Sequence, residues 1–449
     1  MNDIWVSVLA GALSALISWR ARVWPPLAWI ALAPLGFAML RCGSTAALSG
    51  AIVGAFCSAP AVSSRILRKL LPLAVVPSAL TWAVTSGLVG WLLREHAAAW
   101  LAVLLPATAV VASLPLRAVG APRWVSNPLA CTQEPWLPAV HTARVGGELT
   151  TTALLAEASA ALVLALPTPA QSLIVALASM ALVVIALGLA LLALRSARRR
   201  IERSPRERVA AVVVDGPPPV GSGIVGGHWP IESPDYRDVA GTVRRYAPHI
   251  EAAAAAGAKL LVLPEVAVYV VNESSRVAWI DAVTAWARTY GVTIVAPFFD
   301  ASVPRNTLCV VEPTGVAFSY DKQHPGRGIE PPRTSPMRPG PHRSSIRDWA
   351  LSTVICVDLD YGDLVPPVRR SGGVLCAPSN DWLDGFEELH HRTAVWAAAC
   401  TGATVVRATG HGISAVFDGT GRVLARASSQ SGPVVLVVDA PMGNGPPRH

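Results

Sequence analysis

Apolar runs of membrane-spanning length fill the first 194 residues of the chain and then stop. A bilayer core of about 30 Å needs roughly 20 apolar residues per helix. The pattern therefore predicts a transmembrane domain of about seven helices in residues 1–195, with spans near 4–19, 23–40, 44–62, 70–93, 97–118, 149–166 and 171–194. No basic segment precedes the first run and further spans follow at once, so we do not expect a cleavable signal peptide.

The periodicity changes after an arginine-rich stretch, residues 196–207, that we interpret as a basic linker. Short β-branched runs then alternate with segments of helical spacing, and strands predominate after residue 300. The first three of these strands are too apolar to be exposed on either face, which indicates a buried sheet. We therefore predict a two-layer α/β domain with a mixed sheet over residues 208–440 and a flexible tail over 441–449.

Composition and charge indicate which partners and which kinds of site to expect. Hydrophobic residues make up 52% and charged residues 15%, and most of the Asp and Glu lie after Ala197. The net charge of +8 is concentrated in the arginine-rich stretch beside a hydrophobic segment, where phospholipid headgroups are nearer than nucleic acid. The seven cysteines form no CxxC pair and no zinc spacing, so neither a disulfide framework nor a metal site is predicted.

Three reactive side chains each follow a predicted strand: Glu265 in "LLVLPEV", Lys322 in "SYDKQH" and Cys356 in "LSTVICVDLDYG". Strand ends are where α/β domains usually build their sites. A carboxylate can take the proton of a thiol, and an ammonium can stabilise the oxyanion that the thiolate then creates. The three residues predict a thioester-forming enzyme that needs no cofactor. Each also has a structural interpretation, as a core thiol, a cap and a solvated turn residue.

Other residues offer alternative chemistry. Cys376 in "GVLCAPSND" also lies near a strand end and is a rival nucleophile, whereas Cys309 falls in the middle of a strand and is expected in the core. His390, His391 and His411 are compatible with Cys–His catalysis or a metal. The paired histidines face different sides of one predicted helix, so we expect one of them to be buried and the other exposed.

The order "LPE", "YDK", "ICVD", followed by "APSNDWLDG", resembles the nitrilase (carbon–nitrogen hydrolase) superfamily, which carries a Glu-Lys-Cys triad on an α-β-β-α sandwich. Because this arrangement follows a multi-span region in the chain, the whole sequence is similar to the apolipoprotein N-acyltransferases. The segments "WPPLAWIALAPLGFAML" and "GAPRWVSNPL" add weaker matches to that family. The resemblance implies that Glu265 is the general base, that Lys322 stabilises the oxyanion and that Cys356 is the nucleophile.

Supporting residues also come from the resemblance. Glu330 lies eight residues after Lys322, at the position of the family's second essential glutamate, and Asp358 and Asn380 lie beside the nucleophile motif and in "APSNDWLDG". Two positions depart from the family: Asp358 replaces a glutamate, and Cys400 stands where the helix after His390 carries another. The family's last transmembrane helix has no counterpart.

The function that the resemblance implies is transfer of a fatty acyl chain from a phospholipid, through a Cys356 thioester, to the α-amino group of a diacylglyceryl-cysteine lipoprotein or a related lipid-linked amine. The expected partners are these two lipids and the membrane, without nucleic acid. A membrane-tethered amidase and a non-catalytic binding module remain alternatives.

The orientation in the membrane is open at this point. The resemblance implies a multi-pass protein of the cell (inner) membrane with its catalytic domain outside the cytoplasm. The loops on the side of that domain carry most of the Lys and Arg of the first half, however, and the positive-inside rule would place them in the cytoplasm.

Overall fold

The computed structural model describes residues 2–58, 67–95, 98–118, 128–166, 170–214, 237–325, 343–346, 349–361, 373–381, 387–429 and 432–442. The chain divides into two compact units, Met1–Ser196 and Ala197–His449, here called the N-terminal unit and the C-terminal domain. Among the predicted site residues, Glu330 lies outside the described residues.

The N-terminal unit is helical throughout its described part. Its α-helices are α1 (Asn2–Arg20), α2 (Ala33–Cys42), α3 (Ala46–Ser58), α4 (Leu67–Glu95), α5 (Leu101–Ala118), α6 (Pro128–Cys131), α7 (Leu137–Gly146), α8 (Glu148–Leu164) and α9 (Ala170–Glu202), with short 3₁₀ helices at Pro25–Ile30, Gly43–Thr45 and Ala98–Trp100. Each of the seven predicted spans therefore contains an α-helix, as its apolar pattern requires.

Four stretches of the described chain are long and apolar enough to cross a membrane: Asn2–Arg20, Pro25–Phe56, Val75–Arg94 and Ser172–Glu202. The pair α7 and α8, bent by 118°, would raise the number to five if it forms one span. Two predicted spans merge into Pro25–Phe56, and the fifth is a shorter apolar helix, Ala98–Leu114. These helices are compatible with a membrane protein, and the count of seven crossings stays a prediction.

The surface of the N-terminal unit is apolar, while part of its interior is polar. Leu9, Val84 and Ile174 are 68%, 68% and 67% exposed, whereas Ser49 and Ser159 are fully buried. Soluble domains normally bury large aliphatic side chains and expose hydroxyls. This inversion is what an apolar solvent favours, since exposed leucines cost nothing there and hydroxyls need internal partners.

Helix α9 runs through the arginine-rich stretch to Glu202, and strand β1 begins at Arg206. Residues 196–202 of the predicted basic linker are therefore helical. Arginine is a good helix former, and basic side chains in the last turn of a helix interact favourably with its dipole.

The C-terminal domain contains two sheets in its described part. The first has the order β13-β1-β2-β4-β5-β6, with β3 paired to β4, and the second has the order β12-β11-β10-β9-β8-β7. The strands are β1 (Arg206–Val213), β2 (Leu260–Val262), β3 (Tyr269–Val270), β4 (Thr293–Asp300), β5 (Arg305–Glu312), β6 (Gly315–Asp321), β7 (Arg343–Ile346), β8 (Trp349–Thr353), β9 (Val374–Cys376), β10 (Thr404–Arg407), β11 (Ile413–Phe417), β12 (Val423–Ser428) and β13 (Val434–Pro441).

Alternation along β1 shows how the layers form. Val209, Ala211 and Val213 pack between the two sheets. Ala210 and Val212 belong to a second core, between the first sheet and the helices that cover it. Successive side chains of a strand point to opposite faces, so a strand that is apolar at every position is covered on both faces.

Three helices complete the sandwich: α10 (Val239–Ala255) and α11 (Glu273–Tyr290) cover the first sheet, and α12 (Glu387–Thr401) packs on the second. Helix α11 begins at a capping box formed by Asn272 and Ser275 and ends at Gly291, whose left-handed conformation suits glycine. The layers follow the α-β-β-α order that the resemblance implies. The two-layer domain with one mixed sheet, predicted from periodicity, was wrong, because the strands form two sheets.

The topology places strand ends from both sheets close together. Strands β1, β2 and β4 are parallel, as are β8, β9 and β10, so within each set the carboxyl ends share one edge. Three strands escaped prediction: β3 has two residues, β7 is four residues long, and β12 is partly exposed and carries Arg426 and Ser428.

Candidate active site

Glu265 and Lys322 form a buried ion pair at the strand ends of the first sheet. Glu265 lies three residues beyond the end of β2, Lys322 directly follows β6, and Lys322 Nζ is 2.8 Å from Glu265 Oε1. Asn306 Nδ2 on β5 donates to the same oxygen at 2.7 Å. Two opposite charges taken out of water stabilise one another only when their hydrogen bonds are satisfied, and this pair meets that condition.

Cys356 begins a 3₁₀ helix, Cys356–Asp360, three residues after Thr353 at the end of β8. Its φ angle is +50°, and Val266, the residue after Glu265, has a φ of +54°. Such angles are uncommon outside glycine and each costs on the order of 1–3 kcal/mol, so the surrounding structure must hold them. Cys356 N donates to Pro378 O at 2.8 Å, and Glu265 N donates to Ser379 O at 3.3 Å.

These two hydrogen bonds join the nucleophile candidate and the base candidate to one segment, which follows β9. Asn380 lies next in that segment. Its backbone oxygen accepts from Cys356 Sγ at 3.7 Å, its Nδ2 donates to Glu265 O at 3.5 Å, and its Oδ1 accepts from His411 N at 3.0 Å. Asn380 therefore connects the strand ends of the two sheets.

The charges around Cys356 oppose one another. Burial raises the pKa of the Cys356 thiol, and the Glu265 carboxylate raises it further, whereas Lys322 and His390 lower it. The resting thiol is thus protonated at neutral pH, and its reaction requires a base in contact with it. Glu265 is the carboxylate that acts on this sulfur, and Lys322 holds that carboxylate in place.

Asp358, two residues after Cys356, is fully buried and fastens the turn that carries Lys322. Its carboxylate accepts four hydrogen bonds: from Tyr320 Oη at 2.7 Å, His324 N at 2.7 Å, Gln323 N at 3.2 Å and Ile355 N at 3.2 Å. The His324 ring also stacks on Tyr361, with centroids 3.8 Å apart. The shorter aspartate side chain thus reaches the backbone directly after Lys322.

A second buried polar group, which sequence reasoning did not assemble, centres on His390, which lowers the pKa of Cys356. His390 Nδ1 is 2.8 Å from Asp381 Oδ1, and His390 Nε2 is 2.8 Å from Asp360 Oδ2. Arg407 Nη2 donates to both oxygens of Asp381, at 2.7 and 2.8 Å. His390 was a candidate in the sequence, but nothing in the spacing pointed to the two aspartates or to Arg407 on β10.

The expectation that one of the paired histidines is exposed was wrong. His390 and His391 are 4% and 2% exposed, because the His391 ring packs 5.1 Å from the ring of Phe417 on β11 while His390 faces Asp360 and Asp381. Burial lowers the pKa of His391 to about 4, with Arg407 and Arg426 contributing.

The two other candidate cysteines, Cys376 and Cys309, lie within strands. Cys376 is the last residue of β9, fully buried in the core between the sheets, and burial raises the pKa of its thiol. Cys309 lies within β5, in the core under the helices, with Sγ 3.3 Å from Ser319 Oγ. In the described part of the chain, no group of three or more His, Cys, Asp or Glu side chains is arranged to hold a metal ion.

Comparison with known proteins finds matches to the C-terminal domain. A family model described as carbon–nitrogen hydrolase matches residues 223–444. A double mutant of the amidase from Nesterenkonia sp. AN1, in complex with acrylamide, aligns at 21% identity and TM-score 0.43, over 53% of this chain and 92% of that one. Saccharomyces cerevisiae Nit3, a member of branch 10 of the nitrilase superfamily, aligns at 19% identity and TM-score 0.42, over 53% and 90%. The comparison with curated proteins finds no match.

The matched residues include Glu265, Lys322, Cys356 and His390, and they cover the α-β-β-α sandwich apart from β1. The C-terminal domain of this chain therefore matches the carbon–nitrogen hydrolase family over residues 223–444.

Proposed function

We propose that this protein is a membrane-integral N-acyltransferase that moves a fatty acyl chain from a phospholipid to a lipid-linked amine, such as the N-terminus of a diacylglyceryl-cysteine lipoprotein, through a thioester on Cys356. One observation carries the proposal. The buried set Glu265, Lys322 and Cys356 belongs to a chain whose other half is a bundle of apolar helices with exposed aliphatic side chains. A thiol enzyme built into such a chain suits substrates that reside in a bilayer.

In the first half of the reaction, Glu265 takes the proton of Cys356 and the thiolate attacks the ester carbonyl of the phospholipid. Lys322, whose Nζ lies 2.8 Å from Glu265, stabilises the negative charge that develops on the carbonyl oxygen. The carbon–oxygen bond of the ester then breaks, and Glu265 returns its proton to the leaving alcohol. The products are a lysophospholipid and a Cys356 thioester.

In the second half, the free amine attacks the thioester carbonyl and Glu265 accepts a proton from the amine nitrogen. The carbon–sulfur bond breaks, the thiolate recovers a proton, and the acyl chain leaves as an amide. The overall exchange converts one ester and one amine into one amide and one alcohol, so it needs neither ATP nor a redox partner.

Hydrolysis of an amide is the second candidate, and the family description, carbon–nitrogen hydrolase, favours it. The same three residues would act, with an amide in place of the ester and water in place of the lipid amine. The two functions therefore differ in what loads Cys356 and in what unloads it.

The test is mass spectrometry of the peptide that contains Cys356, after the full chain has been incubated with vesicles of one phospholipid of defined acyl composition. We expect an acyl adduct that neutral hydroxylamine removes, that is absent in Cys356→Ala and that persists in Cys376→Ala. A synthetic diacylated lipopeptide should discharge it, with the acyl chain recovered on the amine, while buffer alone should leave it intact.

Discharge by buffer as fast as by the lipopeptide would replace the acyltransferase with a hydrolase. A folded, lipid-supplied protein that forms no adduct would remove the acyltransferase proposal.

The proposal also places the C-terminal domain outside the cytoplasm. Glu273 at the start of α11 is 68% exposed, and the six cysteines whose side chains are described are buried, which makes Glu273→Cys a suitable reporter. In intact cells, a membrane-impermeant maleimide should label Glu273→Cys but not the parent protein. Labelling only after the cells are opened would place the domain in the cytoplasm, as the loop charges predict.

A further inference from the structure

The histidine beside Cys356 is held from both ends. His390 is 4% exposed, and each ring nitrogen faces a carboxylate oxygen at 2.8 Å, Nδ1 on Asp381 and Nε2 on Asp360. A neutral imidazole has one N–H donor, whereas the imidazolium has two. Two carboxylates at ion-pair distance from opposite nitrogens therefore favour the doubly protonated ring.

The charges of the group lead to the same conclusion. Asp360, Asp381 and Arg407 are 1%, 5% and 1% exposed, and together they carry two negative charges and one positive charge. With a neutral His390 the group would leave a net negative charge in the interior, which is costly. With an imidazolium, two cations balance two carboxylates.

The group formed by His390, Asp360, Asp381 and Arg407 shares chain segments with Cys356. Asp360 closes the same 3₁₀ helix that Cys356 opens, and His390 lowers the pKa of the Cys356 thiol. Asp381 comes from the segment after β9 that also receives the Cys356 backbone N–H, and Arg407 comes from β10. Glu265 and Lys322, which form an ion pair with each other, also act on the pKa of this thiol: Glu265 raises it and Lys322 lowers it.

We propose that His390, held as an imidazolium by Asp360 and Asp381, is a second catalytic cation at Cys356. It stabilises the thiolate when the thiol proton moves to Glu265, and again when the thiolate leaves the thioester. The proposal rests on Cys356 being the nucleophile of the proposed function, and it assigns to the domain a cation besides Lys322.

The titration of His390 agrees with this role. Burial alone would lower its pKa, but Asp360, Asp381 and Cys356 together raise the pKa of His390 well above its ordinary value of 6.5. The ring is therefore charged at neutral pH. The carboxyl of Asp381 has a lowered pKa despite its burial, because Arg407 and His390 both stabilise its ionised form.

The adjacent His391 is a matched control. It is equally buried on the same helix, it packs on Phe417, and the pKa of His391 is lowered to about 4, so this ring is neutral. Substitution of either histidine by glutamine removes a buried imidazole from α12, but only His390→Gln removes a cation from the sulfur.

The test is the rate of alkylation of Cys356 by iodoacetamide between pH 6 and 10, measured by mass spectrometry on the folded full-length protein without any lipid substrate. The thiolate is the reacting form, so each unit of upward pKa shift slows the reaction roughly tenfold below that pKa. We expect His390→Gln to slow alkylation at pH 8 by about tenfold, and His391→Gln to leave it within about twofold.

Asp360→Asn provides a second variant if His390→Gln lowers the melting temperature too far to be used. This substitution removes one of the two carboxylates that hold the proton on His390, so it should also slow alkylation of Cys356. The slowing should grow as the pH rises. Alkylation profiles of His390→Gln or Asp360→Asn that coincide with that of the parent protein would overturn the proposal.

The outcomes separate this inference from the proposed function. Alkylation that depends on His390 in a protein that never accepts an acyl chain keeps the cation and removes the acyltransferase. Normal acyl transfer in His390→Gln, together with an unchanged alkylation profile, keeps the acyltransferase and removes the role of His390.

Discussion

The ends of β8 and β9 lie side by side in the second sheet, where Thr353 pairs with Cys376, and a buried cysteine belongs to each end. Both thiols contribute to the core between the sheets, and Cys376 stays in strand conformation. Cys356 lies beyond its strand in a left-handed backbone conformation, and Glu265, Lys322 and His390 all act on its sulfur. Proximity to a strand end thus does not distinguish the two thiols; the charged groups that converge on Cys356 do.

The paired histidines repeat the comparison on α12. His390 and His391 are adjacent and both buried, yet the pKa of the first is raised and that of the second is lowered. The difference comes from their neighbours, two carboxylates in one case and a phenyl ring with nearby arginines in the other. Substitutions can distinguish the two members of each pair, the two cysteines and the two histidines.

The largest effect is expected for the two cysteines. Cys356→Ala should lower acyl transfer by roughly 10⁴-fold or more, because removal of a covalent nucleophile leaves only binding and electrostatic effects. Cys376→Ala should keep activity within about threefold and lose on the order of 1–2 kcal/mol of stability, as a small core deletion does. The measurements are initial rates with phospholipid and lipopeptide, and thermal melting. Comparable rates in the two variants would place the chemistry elsewhere.

The second-largest effect is expected for Glu265, the proposed general base. Glu265→Gln should lower the acylation rate by about 10²–10⁴-fold, since it keeps the shape but cannot accept the thiol proton. Glu273→Gln, an exposed glutamate paired with Arg276 at the surface, should leave the rate unchanged and serves as the control. Single-turnover formation of the Cys356 adduct is the direct readout. A fully active Glu265→Gln would assign the base to another group.

The third prediction concerns the ion pair. Lys322→Met leaves the Glu265 carboxylate buried without its partner, which should cost about 3–5 kcal/mol of stability. Combined with Glu265→Gln, the loss should be smaller than the sum of the two single losses, because no unpaired charge then remains. Chemical denaturation of the four proteins of the cycle gives the coupling. Strict additivity would mean that the two side chains are independent in the folded protein.

The smallest effect distinguishes the two histidines by pH. The raised pKa of His390 means that its contribution to stability is complete below pH 6.5 and is lost as the pH rises through the folded value. For His391, with a folded pKa of about 4, the contribution is complete above pH 6.5 and is lost as the pH falls towards 4.

Melting temperatures of the parent protein, His390→Gln and His391→Gln across this range measure both slopes. We expect His390→Gln to flatten the alkaline side of the profile and His391→Gln to flatten the acid side. The same change in slope for both variants would contradict the different charge states.

Much of the fold follows from periodicity. The apolar runs of β1, β2 and β4 predict a sheet buried on both faces, and alternation along β1 accounts for two cores. The weaker signals are those of short or half-exposed strands such as β7 and β12, whose residues alternate little and are decided by pairing with their neighbours.

The site could be predicted only in part. Glu265, Lys322 and Cys356 stand out because a reactive group follows each apolar strand, and Glu265 and Lys322 meet although 57 residues separate them. Asn306, Asp360, Asp381 and Arg407 carry no such mark, because polar residues at strand ends and turns are common and their partners are set by the packing of two sheets.

The sequence by itself determined the apolar helical half, the alternating strands and helices of the second half, and three residue types able to form a thioester. These depend on local periodicity and on the chemistry of single side chains. Only the tertiary structure decided which cysteine sits among charges and which histidine lies between two carboxylates. That decision requires side chains from the segments after β2, β6, β8 and β9 and from α12 to meet around one buried thiol, where low dielectric strengthens each pairing.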